Sequence, residues 1–131
     1  MGNNNSINRV NFERVQNIMN DNDYIIINTL SSNKQEILID KTLNINEEEK
    51  ILNELLKKNK TKKIMIYGEN SCDESLVKKY NQLYKLGFTN IYVYIGGLFE
   101  WLLLNEIYGN DEFPIINNNN EIIIDILKYK G

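Results

Sequence analysis

The chain has 131 residues, of which 42% are hydrophobic and 25% charged, and its formal net charge is −3. This length suits one domain with a single buried core, and the composition is ordinary for a soluble globular protein. The acidic balance gives no general attraction to nucleic acid. No apolar run approaches the roughly 20 residues that cross a bilayer, and the single cysteine forms no internal disulfide. We therefore expect a cytoplasmic protein.

The N-terminus carries a lipidation pattern. The chain begins Met-Gly-Asn-Asn-Asn-Ser, which matches N-myristoylation of Gly2 after removal of Met1. One acyl chain gives weak, reversible attachment, so the pattern predicts a peripheral membrane association. The alternative is an Asn-rich stretch that fits a short pattern by chance. In either case residues 1–6 are predicted to be a flexible leader.

The first folded elements are predicted between residues 7 and 60. Residues 7–10 indicate a short edge strand, and Asn11 is a suitable N-cap for the helix that follows. Residues 24–28 are dense in β-branched side chains and predict a central strand. Residues 37–39 indicate a brief strand or turn. Asn46, followed by three glutamates, predicts the N-cap of the next helix.

The clearest pattern lies in residues 62–101 and predicts strand, helix and strand. Residues 64–67 form an apolar run of strand length, suited to burial on both faces of a parallel sheet. Residues 71–74 have the sequence of a capping box, which predicts a helix from about Cys72 to a glycine C-cap at Gly87. A second β-branched run follows. Two parallel strands joined by a helix form a right-handed βαβ unit.

The last part of the chain is predicted to pack on this unit. Residues 98–108 indicate a helix that ends at Gly109 and is apolar on so many sides that something must cover it. Residues 110–120 are predicted to be a flexible connection. Residues 121–129 are apolar enough to fold back over the helix. The alternative is that the helix surface forms a partner-binding groove.

These features resemble one protein family. The series Gly87-Phe88-x-Asn90-x-Tyr92, followed by Gly96-Gly97 and Trp101, resembles the C-terminal half of a rhodanese-like domain. The resemblance implies an α/β fold, a three-layer α/β/α domain with a mostly parallel sheet over residues 7–109. Residues 110–131 would form a C-terminal extension packing on the domain. The implied active-site loop consists of Gly68, Glu69, Asn70, Ser71, Cys72 and Asp73.

The sequence departs from the family at positions that carry chemistry. In active members the nucleophilic Cys directly follows the strand, and this position holds Gly68. The strand that usually ends in Asp followed by Arg ends here in Asn28-Thr29. The chain also contains no His, which excludes a Cys-His pair and a His-based metal site. We expect no cofactor and no metal.

Two interpretations of the loop remain open. Glu69, Asp73 and Glu74 place negative charge around it, with no cation nearby in the sequence, so an anionic sulfur donor would be repelled. This favours a catalytically inactive domain, a pseudoenzyme that acts in protein binding or regulation with an unknown protein partner. The alternative is a sulfurtransferase whose displaced nucleophile is Cys72, placed where a helix N-terminus activates a thiol.

Overall fold

The computed structural model describes residues 7–71 and 74–117. The predictions for Gly2, Cys72 and Asp73 therefore lie outside the described residues. The helices and strands, in chain order, are β1 (Asn8–Val10), α1 (Phe12–Met19), β2 (Tyr24–Asn28), β3 (Ile37–Ile39), α2 (Ile45–Lys58), β4 (Lys63–Tyr67), α3 (Glu74–Leu86), β5 (Ile91–Tyr94), α4 (Gly97–Tyr108) and β6 (Ile115–Asn117). None of these helices is both long and apolar enough to span a bilayer.

Four parallel strands form the main sheet in the order β1-β5-β4-β2. The predicted βαβ unit is β4-α3-β5, and its two strands are neighbours in register from Ile64↔Ile91 to Tyr67↔Tyr94. The sequence predicted β2 as a central strand, and this was wrong, because β2 is the last of the four strands in the sheet. Beyond it there is a single parallel bridge between Ile26 and Thr42. Strands β3 and β6 form a separate antiparallel pair.

The sheet has a hydrophobic core on each face, which confirms the predicted three-layer arrangement. Successive strand residues point to opposite faces. Met65 and Tyr67 therefore share one core with residues of α1 and α4, which include Trp101. Ile64 and Ile66 share the other core with residues of α2 and α3.

The helix ends follow local hydrogen-bonding chemistry, with one error in the prediction. Asn11 caps α1 as predicted, because its Oδ1 accepts from the backbone N–H of Arg14 at 2.9 Å. The cap of α2 is Asn44 rather than Asn46: Asn44 Oδ1 accepts from the N–H of Asn46 at 2.8 Å. The backbone at Asn44 is extended (φ −64°, ψ 132°), whereas Asn46 lies inside the helix. Gly87 ends α3 at a φ of +110°, as predicted.

Residues 110–117 are ordered, which overturns the prediction of a flexible connection there. Phe113 is only 3% exposed, and its ring centroid lies 5.0 Å from that of Trp101. Trp101 Nε1 donates to the carbonyl of Pro114 at 3.0 Å, and Asn105 donates to the carbonyl of Phe113 at 2.7 Å. Turn residues and asparagines suggested a loop, but the partners that hold this segment lie on α4. Residues 118–131 lie outside the described part of the chain.

Candidate functional site

The candidate site lies at the carboxyl ends of the parallel strands, the edge at which open α/β sheets bind ligands. After Tyr67 the chain leaves β4 through Gly68, Glu69, Asn70 and Ser71. These are the first four residues of the predicted active-site loop. α3 is described from Glu74, so the predicted capping box, with Cys72 and Asp73 in its middle, is not described as a whole.

The first turn of α4 holds this loop in place. The N–H of Leu98 donates to the carbonyl of Gly68 at 2.9 Å, and the N–H of Phe99 donates to the carbonyl of Glu69 at 2.8 Å. The first N–H groups of a helix have no partner within the helix, so here the loop carbonyls supply two of them. Gly68 is buried. The backbone at Gly68 and Glu69 is therefore anchored on α4.

Gly97 is required by this close approach. Its φ is +71°, a conformation that side chains rarely adopt. A Cβ added at Gly97 would lie 2.8 Å from the carbonyl oxygen of Gly68 and 3.0 Å from the backbone N of Asn70. The double glycine of the sequence thus has a physical explanation: its second member touches the loop backbone.

The two strands that frame the site end in neighbouring tyrosines whose phenols are structural. The Tyr67 hydroxyl lies 2.7 Å from Thr42 Oγ1 and accepts from the N–H of Ile39 at 3.1 Å. Tyr94 donates to Glu100 Oε1 at 2.5 Å. Burial raises the pKa of both phenols, and for Tyr94 the bond to the Glu100 carboxylate raises the pKa further. Both phenols stay protonated near neutral pH and are unsuited to acid–base catalysis.

Asn28 occupies a buried position where the family resemblance implies an aspartate. Its amide exchanges two hydrogen bonds with Gln35, at 3.1 and 2.8 Å, and its Oδ1 accepts from the N–H of Leu30 at 3.0 Å. The following residue, Thr29, donates its N–H to the carbonyl of Tyr67 at 2.9 Å and accepts from the hydroxyl of Ser75. A neutral network thus links the end of β2 to β4 and α3.

The charge around the loop differs from the sequence prediction, because cations do reach it. Lys34 Nζ lies 3.2 Å from a Glu69 carboxylate oxygen, in an ion pair whose side chains are 54% and 50% exposed. Arg9 and Arg14 line a shallow groove beside Ser71. No local signal could have revealed the Lys34 contact, since the 3-10 turn that carries it (Ser32–Lys34) is 35 residues away from Glu69 along the chain.

A second depression lies between the edge strand β1 and α3. It has a volume of about 250 Å³, and apart from Arg9 and Asn81 its lining is apolar or aromatic. The remaining lining residues are Ile7, Leu76, Val77, Tyr80, Tyr84, Val93 and Ile95. We call it the β1–α3 groove. Within residues 7–71 and 74–117, no three His, Cys, Asp or Glu side chains lie close enough to hold a metal ion.

One protein family and several solved structures are similar to this chain. The family described as Rhodanese-like domain matches residues 11–104. The chain is similar in structure to the Alr3790 protein from Anabaena sp., with a TM-score of 0.61, 17% identity and coverage of 92% of this chain and 90% of that one. The chain is also similar in structure to an uncharacterized protein from Saccharomyces cerevisiae, with a TM-score of 0.59 and 15% identity. That match covers 77% of this chain and 95% of the other. At these identities the structural likeness concerns the fold alone. No curated protein matches the sequence.

Proposed function

Because the chain belongs to the rhodanese-like domain family, we propose that it is a catalytically inactive member that acts by binding another protein. The observation that carries this proposal is Gly68, which directly follows β4. The family resemblance implies a nucleophilic Cys at that position in active members. A glycine offers no side chain that could attack a sulfur donor.

The surroundings of Gly68 support the same conclusion. Asn28 and Thr29 stand where the resemblance implies an aspartate and an arginine, and the Asn28 amide pairs with the neutral amide of Gln35. The carbonyls of Gly68 and Glu69 accept hydrogen bonds from the first turn of α4, so the backbone directly after β4 is held in place. A domain that keeps this framework without its nucleophile is suited to recognition.

The β1–α3 groove is the surface that best fits a protein partner. β1 pairs only with β5 among the described strands, so its other edge is open to an added strand. Val77 and Tyr84 on the groove wall are 60% and 58% exposed, and Arg9 is the charged residue of the lining. The partner is expected to present an extended segment with apolar side chains and a carboxylate that pairs with Arg9.

The inactive assignment is tested by assaying sulfur transfer from thiosulfate to cyanide with the full chain. The expected result is no thiocyanate above the protein-free blank, beside an active rhodanese purified in the same way. Turnover that co-purifies with the chain through successive columns would overturn the proposal.

Partner binding is tested by comparing the proteins retained by the wild type, by Val77→Asp in the groove and by Asn53→Asp on the exposed face of α2. A charge placed in an apolar contact should weaken binding about tenfold or more. The expected result is loss of specific partners with Val77→Asp alone. Identical sets for the three proteins would exclude this groove.

The alternative function is sulfur transfer by Cys72. The observation that favours it is the groove beside Ser71, the residue before Cys72, which is lined by Arg9 and Arg14. Two guanidinium groups at this place would attract an anionic donor. If this alternative holds, thiosulfate turnover is present in the wild type and is lost in Cys72→Ser, while Ser71→Ala keeps it.

The proposal includes weak membrane attachment of a cytoplasmic protein through Gly2. Co-expression with a myristoyltransferase should add one myristoyl mass to the intact protein, and Gly2→Ala should prevent the addition. The acylated protein should bind anionic vesicles weakly and reversibly. An unchanged mass would leave the Asn-rich stretch without this role.

A further inference from the structure

Helix α4 is apolar on two opposite sides. Leu98 and Trp101 are buried against the sheet. On the other side Phe99, Leu103 and Ile107 are 60%, 43% and 69% exposed. Residues spaced by four form one line along a helix, so these three side chains make a continuous apolar strip. We call it the outer strip of α4. A helix side that faces water normally carries polar residues.

The described chain covers the inner side of α4 and leaves the outer strip open. After the helix the chain turns back, and the carbonyls of Phe113 and Pro114 accept hydrogen bonds from Asn105 and Trp101. These two donors lie on the buried side of α4. β6 then pairs with β3, ending where Asn117 is opposite Ile37. The described chain therefore ends at Asn117 in β6, whose partner strand β3 contacts α4, and the outer strip is still exposed there.

The chain beyond β6 has the length and composition to cover this strip. Residues 118–131 number fourteen, and an extended segment of this length spans about 46 Å. α4 has twelve residues and is therefore about 18 Å long, with a diameter of about 10 Å. The segment includes five aliphatic residues within residues 122–127. The segment carries two lysines, Lys128 and Lys130, and two acidic residues, Glu121 and Asp125, whereas both charged residues of α4 are glutamates.

We propose that residues 118–131 fold over the outer strip of α4 and bury Phe99, Leu103 and Ile107. A covalently attached segment has an effective concentration that an ordinary partner does not reach, and monomeric proteins rarely leave large apolar patches open. Phe99 is also the residue whose N–H holds the carbonyl of Glu69. This inference is independent of whether the loop is active.

The test is a double-mutant cycle in the full chain, measured by thermal unfolding. One variant is Leu103→Asp in the outer strip. The other, the tail variant, replaces the isoleucines at 122, 123 and 124 with Ser. If the two surfaces touch, each change lowers Tm, and the combined shift is smaller than the sum by about 4 °C or more. Val77→Asp on α3 is the control, and it should add to the tail variant without coupling.

Proximity is measured separately, so that a variant that unfolds does not decide the matter. In a Cys72→Ser background, Leu103→Cys is combined with a cysteine at each of positions 122–127 in turn. At least one pair should form a disulfide much faster than the same tail position combined with Asn53→Cys on α2. Additive Tm shifts together with equal disulfide rates would overturn the proposal. So would a dimer, seen by light scattering, that Leu103→Asp dissociates and the tail variant leaves intact.

Discussion

Strands β4 and β5 lie side by side and both end in a buried tyrosine. The turns that follow them differ in their roles: one stabilises the fold, and the other holds the position of the family's nucleophile. After β5, two contacts stabilise the fold: Gly97 lies against the backbone at Gly68, and Glu100 accepts a hydrogen bond from Tyr94. After β4, the backbone is held by the first turn of α4, but Gly68 stands where the resemblance implies a nucleophile. Under the proposed inactive function, the backbone framework of the site and its reactive group are separate requirements, and the fold keeps the first without the second.

The largest effect is expected at the turn after β5. Gly97→Ala would place a Cβ 2.8 Å from the carbonyl oxygen of Gly68 at a φ of +71°. Gly109→Ala is the matched control, because Gly109 also has a positive φ, +97°, but nothing lies within 4 Å of its added Cβ. The positive φ alone costs roughly 1–2 kcal/mol. With the clash added, Gly97→Ala should lose about 3–4 kcal/mol of unfolding free energy.

Urea denaturation of the two variants measures this difference. Equal losses for Gly97→Ala and Gly109→Ala would mean that the loop after β4 moves away at little cost. In that case the two turns are not rigidly coupled.

An intermediate effect is expected from the paired tyrosines at high pH. Burial raises the pKa of Tyr67 and Tyr94 in the folded protein above the unfolded value of about 10. Above pH 10 the unfolded state therefore binds fewer protons than the folded state, and the unfolding free energy falls as pH rises. The contribution of the two phenols to the unfolding free energy is fully present below pH 10. At pH 11 the contribution of each tyrosine should have fallen by about 1.4 kcal/mol.

Measuring the unfolding free energy against pH for Tyr67→Phe and Tyr94→Phe shows how much each tyrosine contributes. In each variant the unfolding free energy should fall less steeply above pH 10 than in the wild type, whatever its stability at pH 7. A slope between pH 9 and 11 that neither change reduces would show that the phenols ionise without unfolding.

The smallest effect concerns charge at the turn after β4. In a Cys72→Ser background, Gly68→Cys introduces a thiol beside the Lys34–Glu69 ion pair. Lys34→Met should raise the pKa of that thiol and Glu69→Gln should lower it, since a cation favours the thiolate and an anion opposes it. Both side chains of the pair are about half exposed. Solvent screening should therefore keep each shift below roughly one pKa unit.

The rate of alkylation against pH reports each thiol pKa. Lys34→Glu combined with Glu69→Lys is the control, since it keeps both charges near the loop and should leave the thiol pKa nearly unchanged. Identical pKa values in all four proteins would show that this pair has no electrostatic influence on the loop.

The sequence by itself determined the features that depend on neighbours in the chain. The β4-α3-β5 unit follows from two apolar runs around a helical pattern, and all three elements are present. The end of α3 at Gly87 and the cap at Asn11 follow from residues within a few positions of the helix end. Such signals are reliable because a helix end is set by hydrogen bonds that span three or four residues.

Only the tertiary structure decided which distant residues meet. Lys34 reaches Glu69 because the order of strands places the end of β2 beside the end of β4. Phe113 is buried because α4 presents Trp101 to it, although its own neighbours form a turn-rich segment. Gly97 is required because the backbone of another turn lies against it. The energies of these contacts depend on how the elements pack, and no local pattern encodes that packing.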